Sequence, residues 1–383
     1  MDSDPLKSTA PKRTSTSVPP ASKPDTWKDT LGMLRDALPT PLVSHEAFAR
    51  LEALGRWLPT SMNSLSCLEL RLQEGASRVD FIVGIKPKGR SILAGLHPQV
   101  RLPEQLLDAP EWRRIQTFAR HWHDPSTLLH QEVETFWLEF DLDRAPAEPP
   151  RPFVFVCTRD QDLPRNEDER RRNVARYRAI LHASLPLLME EGAALSPQLV
   201  QQMEVCIDSL PPSTQLYGIC TTMTQRAGAV RFTLKNVPAD RLLPYLAEVG
   251  WPGPQDQFRS LLERLLALGI DRFMLNLDMG PTLLPTLGLE CSFTGRRQPA
   301  AEPLWANLFD ELVGRGMCSA LKRELLLSWP GSHCVERELG QAILESTFDK
   351  RLGHIKFALR DGAPLEAKCY LGLHCSKELL RPR

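Results

Sequence analysis

One pattern returns five times along the 383-residue chain. Two short runs of alternating or β-branched residues flank a turn, and helix-like sequence separates each pair from the next. The pairs are Ser66–Gln73 with Arg78–Ile85, Thr135–Leu142 with Pro152–Cys157, Thr214–Thr222 with Ala229–Lys235, Arg272–Met279 with Thr286–Phe293, and His354–Arg360 with Glu366–Leu373. The third turns at Arg226-Ala227-Gly228, and the last at Asp361-Gly362, a dipeptide suited to the backbone angles of a tight hairpin. Helical periodicity fills Trp27–Ala37 and Ser44–Trp57 ahead of the first pair, and Pro103–His123 and Ser126–Glu132 behind it. Glu167–Glu191 and Ser196–Ser209 follow the second pair, and Pro238–Val249 and Asp256–Leu268 the third. Glu302–Gly314, Ser319–Ser328 and Glu336–Ser346 follow the fourth. The chain therefore reads as an α/β protein of five helix–strand–strand–helix (αββα) units with negligible identity between them.

The strand faces decide how such units close, because period two sends alternate side chains to opposite sides. Leu68, Leu70 and Leu72 oppose Cys67, Glu69, Arg71 and Gln73; Phe136, Leu138, Phe140 and Leu142 oppose Trp137, Glu139 and Asp141. Val230, Phe232 and Leu234 oppose Arg231, Thr233 and Lys235; Phe273, Leu275 and Leu277 oppose Met274, Asn276 and Asp278. Ile355, Phe357 and Leu359 oppose His354, Lys356 and Ala358, and Ala367, Cys369 and Leu371 oppose Glu366, Lys368 and Tyr370. Amphipathic helices must cover the apolar face. The polar face meets water if the sheet stays open. Ten antiparallel strands strain an open sheet, and closure removes both of its edges. The simplest solution is a ten-stranded antiparallel barrel surrounded by helices, with a polar lumen in which a ligand would sit. That lumen would set Glu69, Asp80, Glu139, Asp141, Asp278 and Glu290 against Arg71, Arg231, Lys235, His354, Lys356 and Lys368.

Lys+Arg and Asp+Glu each number 47, so the chain lacks the cationic excess of a nucleic-acid binder. No apolar run approaches the ~20 residues of a membrane span. Residues 1–26 are rich in Ser, Thr and Pro without the order of a secretory signal, and read as a disordered tail before one domain over 27–383. Nine scattered cysteines, none in a Cys-x-x-Cys motif, suit reduced and mostly buried thiols, which places the expected location in the cytoplasm. His121, His123 and His130 read as a helix end rather than a metal site, with Asp124 as a cap and Pro125 opening the next helix. The acid-then-base run Asn166–Asn173 reads as a solvated helix face. No aspartate-rich run is present to hold magnesium and diphosphate; Asp141-x-Asp143 comes nearest.

From about Trp27 to the C-terminus the layout resembles the ABBA prenyltransferases, which include the dimethylallyltryptophan synthases and the prenylating enzymes of ribosomal peptides. Cys67-Leu68-Glu69-Leu70-Arg71 followed by Val79-Asp80-Phe81 is similar to the strand pair that carries that family's acceptor-binding glutamate, and Lys368-Cys369-Tyr370 to its Lys-x-Tyr strand. The resemblance implies metal-independent, cofactor-free transfer of a prenyl group from an allylic diphosphate to an aromatic or peptide side-chain acceptor in specialised (natural-product) metabolism. Glu69 would position and deprotonate the acceptor. Arg71, Arg231, Lys235, Lys356 and Lys368 would bind the diphosphate, because its ionisation needs preorganised cations. Trp137, Tyr217 and Tyr370 would shield the allylic cation from water. Glu139, Asp141, Asn276, Asp278, Glu290 and His354 would complete the lumen. Two return strands depart from the family's repeated basic-plus-tyrosine pattern: Pro152–Cys157 and Thr286–Phe293 carry no base. That departure implies an alternative, an ABBA-like barrel without diphosphate chemistry that binds or modifies another ligand such as a precursor peptide.

Overall fold

A computed structural model describes residues 25–380 apart from 64, 76–77, 143–146, 161–163, 191–194, 223–228 and 340–341. The turn expected at Arg226-Ala227-Gly228, Asp143 and residues 1–24 of the expected tail lie outside the described residues. In chain order the elements begin with α1 (Trp27–Leu34), α2 (His45–Gly55), β1 (Leu65–Arg71) and β2 (Val79–Ile85). Four helices follow, α3 (Arg90–Leu93), α4 (Glu104–Asp108), α5 (Pro110–His123) and α6 (Leu128–Glu132), then β3 (Val133–Phe140) and β4 (Phe153–Thr158). Next come α7 (Glu167–Leu188), α8 (Pro197–Asp208), β5 (Gln215–Thr222), β6 (Val230–Lys235), α9 (Ala239–Glu248) and α10 (Gln255–Ala267). The chain continues through β7 (Arg272–Met279), β8 (Leu283–Ser292), α11 (Leu304–Gly314) and α12 (Ala320–Leu327). It closes with β9 (Gly331–Leu339), β10 (Ala342–Leu359) and β11 (Glu366–Leu380).

Each strand from β1 to β8 pairs antiparallel with the next; β8 pairs with β10, β10 with β11, and β11 returns to β1. Ten strands thus form the closed antiparallel barrel expected from the sequence, with helices around it. The strand ends joined in the pairs β1–β2, β3–β4, β5–β6, β7–β8 and β10–β11 lie at one end of the ring, and the helical connections leave from the other. Outward leucines and phenylalanines are buried beneath the helices. Aromatic side chains key the two layers together: the Trp27 ring stands edge-on to Phe81 at 5.2 Å, Phe118 stacks on Phe136 at 4.7 Å, and Trp305 meets Phe293 at 5.0 Å. Buried Lys322 of α12 donates to the carbonyls of Arg71 and Gln73, both at 2.8 Å, and ties that helix to the hairpin end of β1. No helix among the described residues is long and apolar enough to cross a membrane.

Two local expectations need correction. Glu336–Ser346 is not a helix. It belongs to the hairpin of β9 and β10, and with the C-terminal half of β11 it extends the barrel as a three-stranded ribbon beyond the helix end. The Glu-Arg-Glu-Leu run favours a helix locally, but its antiparallel pairing with Ala342–Glu345 of β10, itself paired with β11, overrides that preference. Asp124 does not cap α6. Its Oδ1 accepts the Ser126 N–H, and the Thr127 hydroxyl accepts the His130 N–H at the start of α6 instead. The acidic start of α7 is capped by Asn166, whose Oδ1 accepts the Glu169 N–H at 2.9 Å.

Gly55 ends α2 where α1 begins: a Cβ there would lie 2.5 Å from the Lys28 backbone nitrogen and 2.8 Å from the Trp27 carbonyl carbon. Gly55→Ala is expected to force α1 away from α2 and to lower the free energy of urea unfolding by about 1–3 kcal/mol. Unchanged unfolding would mean that this close approach is not a constraint on the fold.

Candidate active site in the barrel lumen

The registers place Glu69 opposite Tyr370 on one side and Asp80 on the other, and Arg71 opposite Lys368. Side chains opposite one another share a face, so all five point into the lumen. Glu69, 1% exposed, is the centre of the group. Its Oε1 accepts from Lys368 Nζ at 2.7 Å and from Arg71 Nη1 at 2.5 Å, and its Oε2 accepts from the Tyr370 hydroxyl. Arg71 also reaches Asp80 at 3.0 Å and Glu366 at 2.9 Å, while Asp80 Oδ1 accepts the Leu142 N–H at 3.3 Å.

A second network lies across the lumen. Arg231 holds both oxygens of Asp278, at 2.5 and 3.1 Å, and the Thr286 hydroxyl donates to the same carboxylate at 2.9 Å. Thr233 donates to Asn276 and Asn276 to Glu290, each at 2.8 Å. His354 Nε2 stands 3.2 Å from Glu290, and the His354 ring stacks on Tyr370 with centroids 4.0 Å apart. Lys356 is held more loosely, 3.7 Å from Glu290 and 3.5 Å from the Tyr370 oxygen. It joins the two networks.

Aromatic residues line the remaining arc. Trp137 lies across Gly84, where a Cβ would come within 2.6 Å of the ring. The Trp137 and Tyr217 side chains hydrogen-bond the Cys157 thiol, whose pKa burial pushes up to about 12. Tyr217 occupies the irregularity between Leu216 and Gly218, with Lys235 Nζ 5.4 Å from its ring centroid. Phe153 and Phe155 of β4 also face inward, opposite Glu139 and Trp137, and both are half-buried. The sequence reading gave this strand no face, because Phe-Val-Phe-Val is apolar on both sides; the polar partners on β3 are what orient it.

The residues expected to bind diphosphate do not form one cluster. Arg71, Lys356 and Lys368 converge around Glu69 and Tyr370, whereas Arg231 is engaged by Asp278. Lys235 stands apart at the helix end, paired with Asp160 at 2.5 Å. Glu139, Asn276, Asp278, Glu290 and His354 lie on the lumen as expected, and Asp141 sits exposed just past the end of β3. Carboxylate oxygens of Glu69, Asp80 and Glu139 lie within 4.8 Å of one another, the one group of metal-ligating type among the described residues. Arg71 already bridges the first two.

No protein-family model and no curated protein matches the sequence. Solved structures do. The prenyltransferase PriB in complex with product diphosphate is 12% identical with a TM-score of 0.50, and the match covers 91% of this chain and 96% of that one. The fold is the ABBA prenyltransferase barrel. PriB with L-tryptophan and dimethylallyl thiolodiphosphate has the same identity and a TM-score of 0.49, covering 91% and 96%. 5-dimethylallyltryptophan synthase from Streptomyces coelicolor is 15% identical with a TM-score of 0.44, covering 90% of this chain and 97% of its own.

Within this ABBA barrel the carboxylates are driven apart in acidity. Burial pushes Glu69 up, but Lys368, Lys356 and Arg71 outweigh it and hold the group well below the usual carboxylate range. Burial and the Glu69 charge push Asp80 up to about 7 against the pull of Arg71. Burial and Glu69 likewise raise Glu139. Between the ordinary aspartate value of 3.8 and about 7, folded Asp80 retains a proton that the unfolded chain has lost, so its contribution to stability falls as pH rises through that window. Glu69 acts in the opposite sense, and its contribution is already complete above the ordinary glutamate range. Asp80→Asn should therefore gain urea stability relative to the wild type between pH 4.5 and 8. Parallel profiles across that range would contradict the assignment.

Proposed function

We propose that the lumen transfers a prenyl group from a short allylic diphosphate to an aromatic or peptide side-chain acceptor. The observation that carries this reading is the convergence of Lys356, Lys368 and Arg71 on Glu69 and Tyr370 inside a closed barrel. Breaking the donor's C–O bond leaves a concentrated negative charge, and fixed cations in a water-poor cavity are worth far more than cations in solvent. The allylic fragment needs aromatic faces and exclusion of water, which Tyr370, Trp137, Tyr217, Phe155 and Phe153 supply. Glu69 orients the acceptor; Arg231 and Lys235 add positive potential further from the centre. In this reading the basic side chains provide the charge that a metal would otherwise bring. PriB, which shares the fold, has been crystallised with product diphosphate and with a thiolodiphosphate and tryptophan. The setting we propose is cytoplasmic specialised metabolism.

One observation favours a second reading. Glu69 with Lys368, Asp278 with Arg231 and Asp160 with Lys235 neutralise the cations one by one, which suits a ligand of low net charge such as a precursor peptide. Thermal-shift titration with dimethylallyl thiolodiphosphate, with and without EDTA, separates the two. We expect saturable stabilisation that ignores the chelator. Lys356→Ala or Lys368→Ala should weaken binding at least about tenfold, the equivalent of ~1.4 kcal/mol. No shift in the wild type would eliminate the diphosphate reading and leave the peptide.

A further inference from the structure

Glu139 is the one lumen carboxylate without a hydrogen-bond or ion-pair partner among the described residues. Glu69 accepts from three donors, Asp80 holds Arg71 and the Leu142 N–H, Asp278 holds Arg231, and Glu290 holds Asn276 with His354 beside it. Glu139 projects from β3 between Ile82 of β2 and Phe153 of β4. It is half-buried, and one of its oxygens lies within 4.8 Å of oxygens of Glu69 and Asp80. We propose that Glu139 accepts the proton the acceptor gives up, and that Glu69 holds Lys368, Arg71 and Tyr370 in place rather than serving as the base. The proposal rests on the prenyl-transfer reading.

The step balances without another reactant. The allylic C–O bond breaks and its electron pair leaves with the diphosphate. A bond forms between the allylic carbon and the acceptor atom, and the proton on that atom passes to the Glu139 carboxylate. A base needs an available lone pair, and three donors, two of them cationic, already occupy Glu69. The groups facing Glu139 are Glu69 from β1, Asp80 from β2, Lys356 from β10, Lys368 and Tyr370 from β11, Arg231 from β6 and Cys220 from β5; Asp141 lies two residues along its own chain. Burial and the Glu69 charge make Glu139 a weaker acid, in the direction a proton acceptor requires, while Glu69 is a stronger one.

Carboxyl NMR of the full chain labelled at the glutamate side-chain carbon tests this directly, with the Glu139 signal identified by its loss in Glu139→Gln. We expect Glu139 to titrate above an ordinary glutamate, and Glu69→Gln to move its midpoint down because a like charge is gone. With dimethylallyl diphosphate and L-tryptophan, Glu139→Gln should lower kcat by about 10²–10⁴-fold. Its affinity for dimethylallyl thiolodiphosphate should stay within about threefold of the wild type. Glu139→Asp, which keeps a carboxylate, should keep the pH dependence of kcat/KM that Glu139→Gln loses. A Glu139 midpoint at or below the ordinary value, or near-wild-type turnover in Glu139→Gln, overturns the proposal. Failure of the wild type to bind the thiolodiphosphate would instead remove the donor reading. If the donor binds and tryptophan is not prenylated, the NMR titration decides the matter.

Discussion

The pairing of β11 with β1 is the constraint on which the site depends. It joins the two ends of the ring, and the hydrogen bonds from Lys368 and Tyr370 to Glu69 cross that seam between residues 299 and 301 positions apart in sequence. Without the seam, the polar strand faces would form one side of an open sheet in bulk water, where an ion pair such as Lys368–Glu69 is worth little. With it, the same side chains lie in a surrounding of low polarity, where their mutual fields are strong enough to separate the acidities of three neighbouring carboxylates.

Electrostatic self-sufficiency is the second theme. Most lumen cations already touch an acid, so a charged ligand exchanges partners rather than filling unpaired positions. Such exchange is favourable only when the incoming group carries more charge, or meets more donors, than the carboxylate it displaces. Lys356, with its long contact to Glu290, is the cation that yields most readily.

Much of this was legible in the sequence. Alternation in β1, β3, β6, β7, β10 and β11 assigned Glu69, Trp137, Glu139, Arg231, Asn276, Lys356 and Lys368 to one face, and five hairpins argued for closure. Three things were not. The face of β4 was hidden because both of its sides are apolar, so Phe153 and Phe155 went unassigned. The β9–β10 hairpin was hidden because Glu336-Arg337-Glu338-Leu339 has local helix preference and the β10 strand it pairs with is itself held by β11, later in the chain. The choice of partner within the lumen was hidden too, since whether Arg71 meets Asp80 or Asp141 depends on inter-strand register, which no single strand encodes.

The long reach of the seam also sets a timetable. Glu69 emerges early in synthesis, whereas Lys368 and Tyr370 are added about 300 residues later, a delay of roughly 15–60 s at ordinary elongation rates. Throughout that interval the first hairpins carry buried-type charges with no counterpart from the last strand. A nascent or truncated chain lacking β11 has no closed lumen and leaves Glu69 with Arg71 alone, so ligand binding reports that the whole ring has been made.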